Sequence, residues 1–257
     1  MAFAQEHARP IAGAVATLGV SDRVDFLRKT YAHLGGALIA FAAATAFMMR
    51  YMTETSLKFS SWAFQGRWHW IGILVLFMIV GVIAQKLAMS ETSRGLQYLG
   101  LGVAVIAEAV LLQPLLWIAM IKFGDPRMFI AGADGGMGQA GTIILQSALI
   151  TIAIFAGLTI TVFVTKKDFS FLRGALSIGF FAVLGVILAS AIFGFSLGPI
   201  FCGAVILLLA GYILYQTTLV MNYFPPSGYV AASLMLFSTI ATLFWYVLQL
   251  MMSLRSD

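Results

Sequence analysis

The chain has 257 residues, 61% of them apolar and only 10% charged, with a formal net charge of +5 and a single cysteine, Cys202. Soluble domains carry about 25% charged residues, so this composition excludes a soluble globular protein and defines a membrane-embedded one. The basic residues lie between apolar runs and form no dense patch, which argues against nucleic acid and for loop charges that set topology. A lone cysteine excludes an internal disulfide and a thiol metal site.

Residues 1–29 read as a tail. They hold Arg9, Arg23, Arg28 and Lys29 against Glu6, Asp22 and Asp25, with a short amphipathic segment near Val24 to Leu27. The run Pro10 to Val20 behind His7 has the character of a weak signal-peptide core, but it soon meets Asp22 and Arg23 and is read as tail. Polar termini are mobile unless held, so the tail is assigned to the surface of a membrane-protein partner.

From residue 30 onward the sequence predicts one seven-helix transmembrane domain, with spans at about 31–49, 70–84, 97–121, 142–164, 171–193, 199–220 and 229–253. Between the first two spans lies a polar loop with Lys58, Arg67, Trp62, Trp68 and Trp70, the tryptophans reading as an interfacial belt. After the third comes GADGGMGQAG, which lacks the lysine of a phosphate-binding loop and reads as a flexible connection. Between the fourth and fifth spans, Lys166, Lys167, Asp168 and Arg173 leave no room for a domain, so the two helices form an antiparallel hairpin. The prolines of NYFPPSG break the chain before the last span.

On the side of the amino terminus, the tail and alternate loops carry nine Lys and Arg, against six on the other side. Short basic loops stay cytoplasmic, which puts the amino terminus in the cytoplasm and, with seven spans, the carboxyl terminus outside. A re-entrant span would instead leave both ends cytoplasmic.

An ionisable group in lipid is costly and is by default a functional hypothesis. Glu108 is the clearest example. At about 100° per residue, Gln97, Glu108 and Lys122 share one face of the third span while Gln113 points away. The plain reading is a protonated Glu108 hydrogen-bonded to a neighbouring helix, and the sharper one is a polar track. On the last span Ser238, Thr242, Tyr246, Gln249 and Ser253 share a sector that should avoid lipid. That stripe fits helix packing as well as pore lining. Tyr212, Tyr215 and Gln216 form a smaller polar patch on the sixth span. His7, His33 and His69 have no HExxH spacing, and no GxSxG or GxGxxG motif accompanies a helix start. The reading is not an enzyme, with no cofactor and no metal site. The glycines from Gly95 to Gly102 read as a helix-contact surface.

Four stretches carry a resemblance: FLRKTYAHLGGALIAFAAATAF from Phe26, IFAGLTITVFVTKKDFSFLRG from Ile154, GYILYQTTLVMN from Gly211 and YVAASLMLFSTIATLFWYVLQLM from Tyr229. Together they resemble the Bax inhibitor-1 family, and its bacterial YccA-like members in particular. The resemblance implies an all-α bundle of seven transmembrane helices with the last one central. It also implies either a regulator that binds another membrane complex, such as an FtsH-like protease, or a leak for calcium or proton-linked cations. In leak-type members two aspartates in the last two helices share protons as a pH latch. Those positions match Gln216 and Thr239 here, the following asparagine matches Thr242, and the glycine before the proline of the third span matches Gln113. Gln and Thr do not titrate, so a latch that works by a shared proton cannot operate at these positions. The reading is therefore a regulator in a bacterial inner membrane, with a calcium or proton-linked leak through a degenerate latch as the alternative.

Overall fold

The computed structural model describes residues 14–17, 19–90, 93–125 and 137–255. The helices are α1 (Val20–Tyr51), α2 (Thr53–Phe64), α3 (Arg67–Ala88), α4 (Arg94–Phe123), α5 (Gly138–Thr165), α6 (Arg173–Phe193), α7 (Pro199–Asn222) and α8 (Tyr229–Arg255), with short 3-10 turns at Val15–Thr17 and Ser170–Leu172. All but α2 are long and apolar enough to cross a bilayer. Residues 1–13 of the tail, with His7 and Arg9, and the first half of the glycine-rich run lie outside the described residues. From Gly138 the rest of that run is the first turn of α5 rather than a loop.

Local chemistry accounts for most boundaries. Pro199 opens α7 at a position whose N–H would go unused. Gly194 closes α6 in the left-handed conformation at φ 78°. At the end of α5 that same conformation falls on Lys166, at φ 53°, an uncommon geometry for a residue with a Cβ. In the first helix, α1 runs unbroken for 32 residues. At 1.5 Å per residue it outruns the roughly 30 Å hydrocarbon core, so residues 20–30 are its projecting turns and not a separate amphipathic segment.

Helix α2 replaces the polar loop expected after the first span. Its inward face is Ser56, Ser60 and Ala63, so apolar periodicity has nothing to detect there. The tryptophans nearby do more than mark an interface. Trp70 stacks on Phe64 and, at 6.0 Å between ring centroids, on Trp245 of α8, while Trp68 is exposed.

At the centre of the bundle lies α8, packed by α1, α4, α5 and α7 and touched by α3. Helix α4 shares that centre, with residues 112–117 buried without interruption. The outermost helix is α6, which leans on α7 and α3 and buries only Leu176. Helices α3 and α4 approach closely at Gly100, where an added Cβ would lie 2.5 Å from the Ala84 carbonyl oxygen. Gly95 and Gly102 meet no other helix that way, so the glycine-rich contact surface narrows to one residue.

The described part of the tail packs on its own chain. Ala14 and Val15 are buried, and the Val15 N–H donates to the Phe224 carbonyl at 2.9 Å, in the α7–α8 connection. Order at residues 14–17 thus needs no partner protein.

Candidate functional site

The two latch-equivalent positions meet. Gln216 on α7 and Thr239 on α8 are both buried, and the Thr239 hydroxyl is 2.8 Å from Gln216 Oε1 and donates to it. Thr239 lies ten residues into α8, about 15 Å along its axis, so this contact sits well inside the membrane. Two neutral groups satisfy each other here, and satisfied buried polar groups lock helices together. Thr242 does not join them; its hydroxyl donates to the Ser238 carbonyl of its own helix at 2.8 Å.

The rest of the polar stripe on α8 differs from expectation. Ser238, Thr242, Tyr246, Gln249 and Ser253 are half-buried, whereas the fully enclosed positions of the helix are mostly apolar, Val230, Leu236, Phe237 and Leu243 among them. The stripe is therefore the less covered side of α8. Tyr246 meets Phe201 of α7 at 6.1 Å.

Glu108 stands at the midpoint of α4, buried among Ala104, Val105, Ala109 and Leu112. No side-chain hydrogen bond or ion pair engages it among the described residues. The expected neighbouring-helix hydrogen bond is thus missing there, and so is the polar track. Gln97 donates to the Ser90 carbonyl at 2.7 Å, closing the α3–α4 turn, and Lys122 is exposed at the far end.

The strongest polar constellation involves the residue expected to point away. Gln113 is 2% exposed. Its Oε1 accepts from the Ser56 hydroxyl of α2 at 2.7 Å, its Nε2 donates to the Ala109 carbonyl at 3.1 Å, and Trp117 Nε1 donates to Ser56 Oγ at 2.7 Å. This cluster clamps α2 onto α4 beside Pro114, whose missing N–H weakens the helix ladder at that turn. A single-face reading of α4 misses it because this stretch is buried all round. The one available signal was a glutamine where the resembling family has glycine.

At the opposite end of the bundle, the basic connection is held by its acid. Asp168 Oδ1 accepts from the Ser170 N–H at 2.8 Å and Oδ2 from the Tyr223 hydroxyl at 3.2 Å. Burial first, and then the Asp168 carboxylate, raise the Tyr223 phenol above its ordinary pKa. Lys166 and Lys167 are exposed, and Arg173 begins α6. Near this end His33 links three helices. Its Nδ1 lies 2.7 Å from the Lys29 carbonyl, its Nε2 3.0 Å from the Tyr98 hydroxyl, and its ring 5.0 Å from that of Tyr229. In the neutral imidazole, Nδ1–H donates to the carbonyl and Nε2 accepts from Tyr98.

Seven long apolar helices, α4 and α8 the most buried of them, with no strand among the described residues, define an all-α multi-pass integral membrane protein. The family profile described as Inhibitor of apoptosis-promoting Bax1 matches residues 23–256. The chain belongs to the Bax inhibitor-1 family. It is similar to Bax inhibitor 1 of Schizosaccharomyces pombe, 28% identical over 95% of this chain and 82% of that protein. It is similar to a Golgi anti-apoptotic protein of vaccinia virus, 25% identical over 93% of this chain and 89% of that one. An uncharacterized Pseudomonas aeruginosa protein, PA2604, is 34% identical over 116 residues, 45% of this chain and 52% of its own length.

Proposed function

We infer that the protein is a non-enzymatic membrane regulator of the YccA type, one that binds another membrane complex such as an FtsH-like protease, in a bacterial inner membrane with a cytoplasmic amino terminus. The observation that carries this reading is the Thr239–Gln216 hydrogen bond. Where a leak-type latch needs a proton to move between two carboxylates, this contact has no proton to lose over the physiological range. A contact that does not respond to pH suits a scaffold better than a gate. Similarity to a Pseudomonas protein supports the bacterial setting, and the excess of Lys and Arg on the side of the tail supports the orientation.

A second reading rests on Glu108. A carboxyl buried at mid-membrane without a bonded partner among the described residues is the kind of group that relays protons. A dedicated calcium site fits poorly, because calcium takes 6–8 oxygen ligands and no cluster of three or more His, Cys, Asp or Glu exists among the described residues. The leak of this reading is therefore a proton-linked one.

Two experiments separate the readings. Purified protein in liposomes with a trapped pH or calcium dye should show no flux above empty vesicles; flux abolished by Glu108→Gln would overturn the regulator reading. Crosslinking in native membranes followed by affinity capture should recover a stoichiometric membrane-protein partner, and recovery of the chain alone would count against it.

A further inference from the structure

Where the ends of α1, α5 and α7 converge, on the side of the described tail, they enclose a cavity of about 360 Å³. Arg23, Lys166 and Lys167 line it together with Leu27, Phe163 and Met221. Three cations thus border an apolar recess, and no acidic side chain lines it. Acids close by in the sequence are engaged elsewhere or belong to the adjoining turn. Asp25 pairs with Lys29 at 2.6 Å, Asp168 holds Ser170 and Tyr223, and Asp22 follows the α1 backbone next to Arg23. None of the three cations makes an ion pair among the described residues.

Backbone geometry explains how two consecutive lysines reach one recess. In a continuing helix Lys166 and Lys167 would point about 100° apart. Instead, Lys166 is the left-handed C-cap of α5, at φ 53°, so the chain leaves the helical path between the two lysines, and both line the recess. The recess lies where membrane helices leave the hydrocarbon, and Val20 and Val24, exposed at its rim, are apolar. An apolar rim and floor with cations above is the chemistry of a lipid site. Water-solvated lysines alone would not need the apolar half.

We propose that this cavity binds the headgroup phosphate of an anionic phospholipid, with the adjoining acyl chain lying against Leu27 and Phe163. Basic pockets between transmembrane helices recognise anionic headgroups in this way. A lipid seated there would bridge α1, α5 and α7 and brace the helix that carries Gln216.

The test uses the full chain in detergent micelles, with retained lipid read by native mass spectrometry and melting temperature read in parallel. Phosphatidylglycerol should be retained and should raise the melting temperature, whereas phosphatidylcholine should do neither. Neutralising each cation singly, Arg23→Gln, Lys166→Gln or Lys167→Gln, should weaken phosphatidylglycerol binding about fivefold, while Arg67→Gln at the opposite end of the bundle should leave it unchanged. A photoactivatable phosphatidylglycerol on the wild type should label the α1 and α5 ends, a readout that needs no variant. Equal retention of the two lipids, equal loss with Arg67→Gln, or labelling elsewhere would overturn the proposal. Inorganic phosphate at millimolar concentration should not compete, and full competition by it would reassign the cavity to a soluble anion.

Discussion

Gln216 and Thr239 join α7 to α8 through one buried hydrogen bond between a hydroxyl and an amide. Neither group titrates over the physiological range, so this contact does not respond to pH. Replacing both, Gln216→Asp with Thr239→Asp, places two carboxyls where one hydrogen bond now fits. Such a pair shares a single proton, so the folded double variant holds a proton that its unfolded chain releases. Linkage then requires its stability relative to wild type to fall as the pH rises from about 5 to 8. Paired thermal melts at several pH values measure this. A constant offset between variant and wild type would mean that the contact can be split without creating a proton-linked pair.

Among elements, α2 owes its place to polar bonds. Gln113, Ser56 and Trp117 join it to α4, and hydrogen bonds of this kind between membrane helices are worth roughly 0.5–2 kcal/mol. Gln113→Ala should lower stability by about that amount. Ser56→Ala on top of it should cost less than it does alone, since the partners are shared. A double-mutant cycle by thermal melts in detergent checks both, and strict additivity would argue against the clamp. The α3–α4 pair depends on a different device. Gly100 lets the two backbones meet, and because the obstacle to a larger residue is backbone, no side chain can swing aside. Gly100→Ala should cost about 1–3 kcal/mol, while Gly102→Ala, which meets nothing within 4 Å, should be near neutral. Melting temperatures of the two alanine variants decide between them.

For the whole molecule, seven helices are long and apolar enough to cross the membrane, and if each crosses once, Val20 and Arg255 lie on opposite sides. In the orientation proposed above, and in a Cys202→Ala background, Lys167→Cys should react with a membrane-impermeant thiol reagent only in inside-out vesicles, and Arg67→Cys only in right-side-out cells. Reaction of both from one side would mean that a helix fails to cross.

Seven long apolar segments and the short basic connection at Lys166 to Arg173 were legible in the residues because hydrocarbon penalises charge so strongly that span and loop differ in kind, but the α5–α6 hairpin expected across that connection does not form, since α6 leans on α7 and α3 instead. The resemblance likewise singled out Gln216 and Thr239 as a pair, and they touch. What only the tertiary structure decided is which polar residues meet. Serines on the buried face of α2 look like loop residues until Gln113 and Trp117 are set against them. A helix enclosed all round, as α4 is at residues 112–117, has no distinguishable face to read. Composition and spacing report the solvent that each segment prefers. The pairing of one buried polar group with another depends on which helices are neighbours, and a single chain read in order does not contain that information locally.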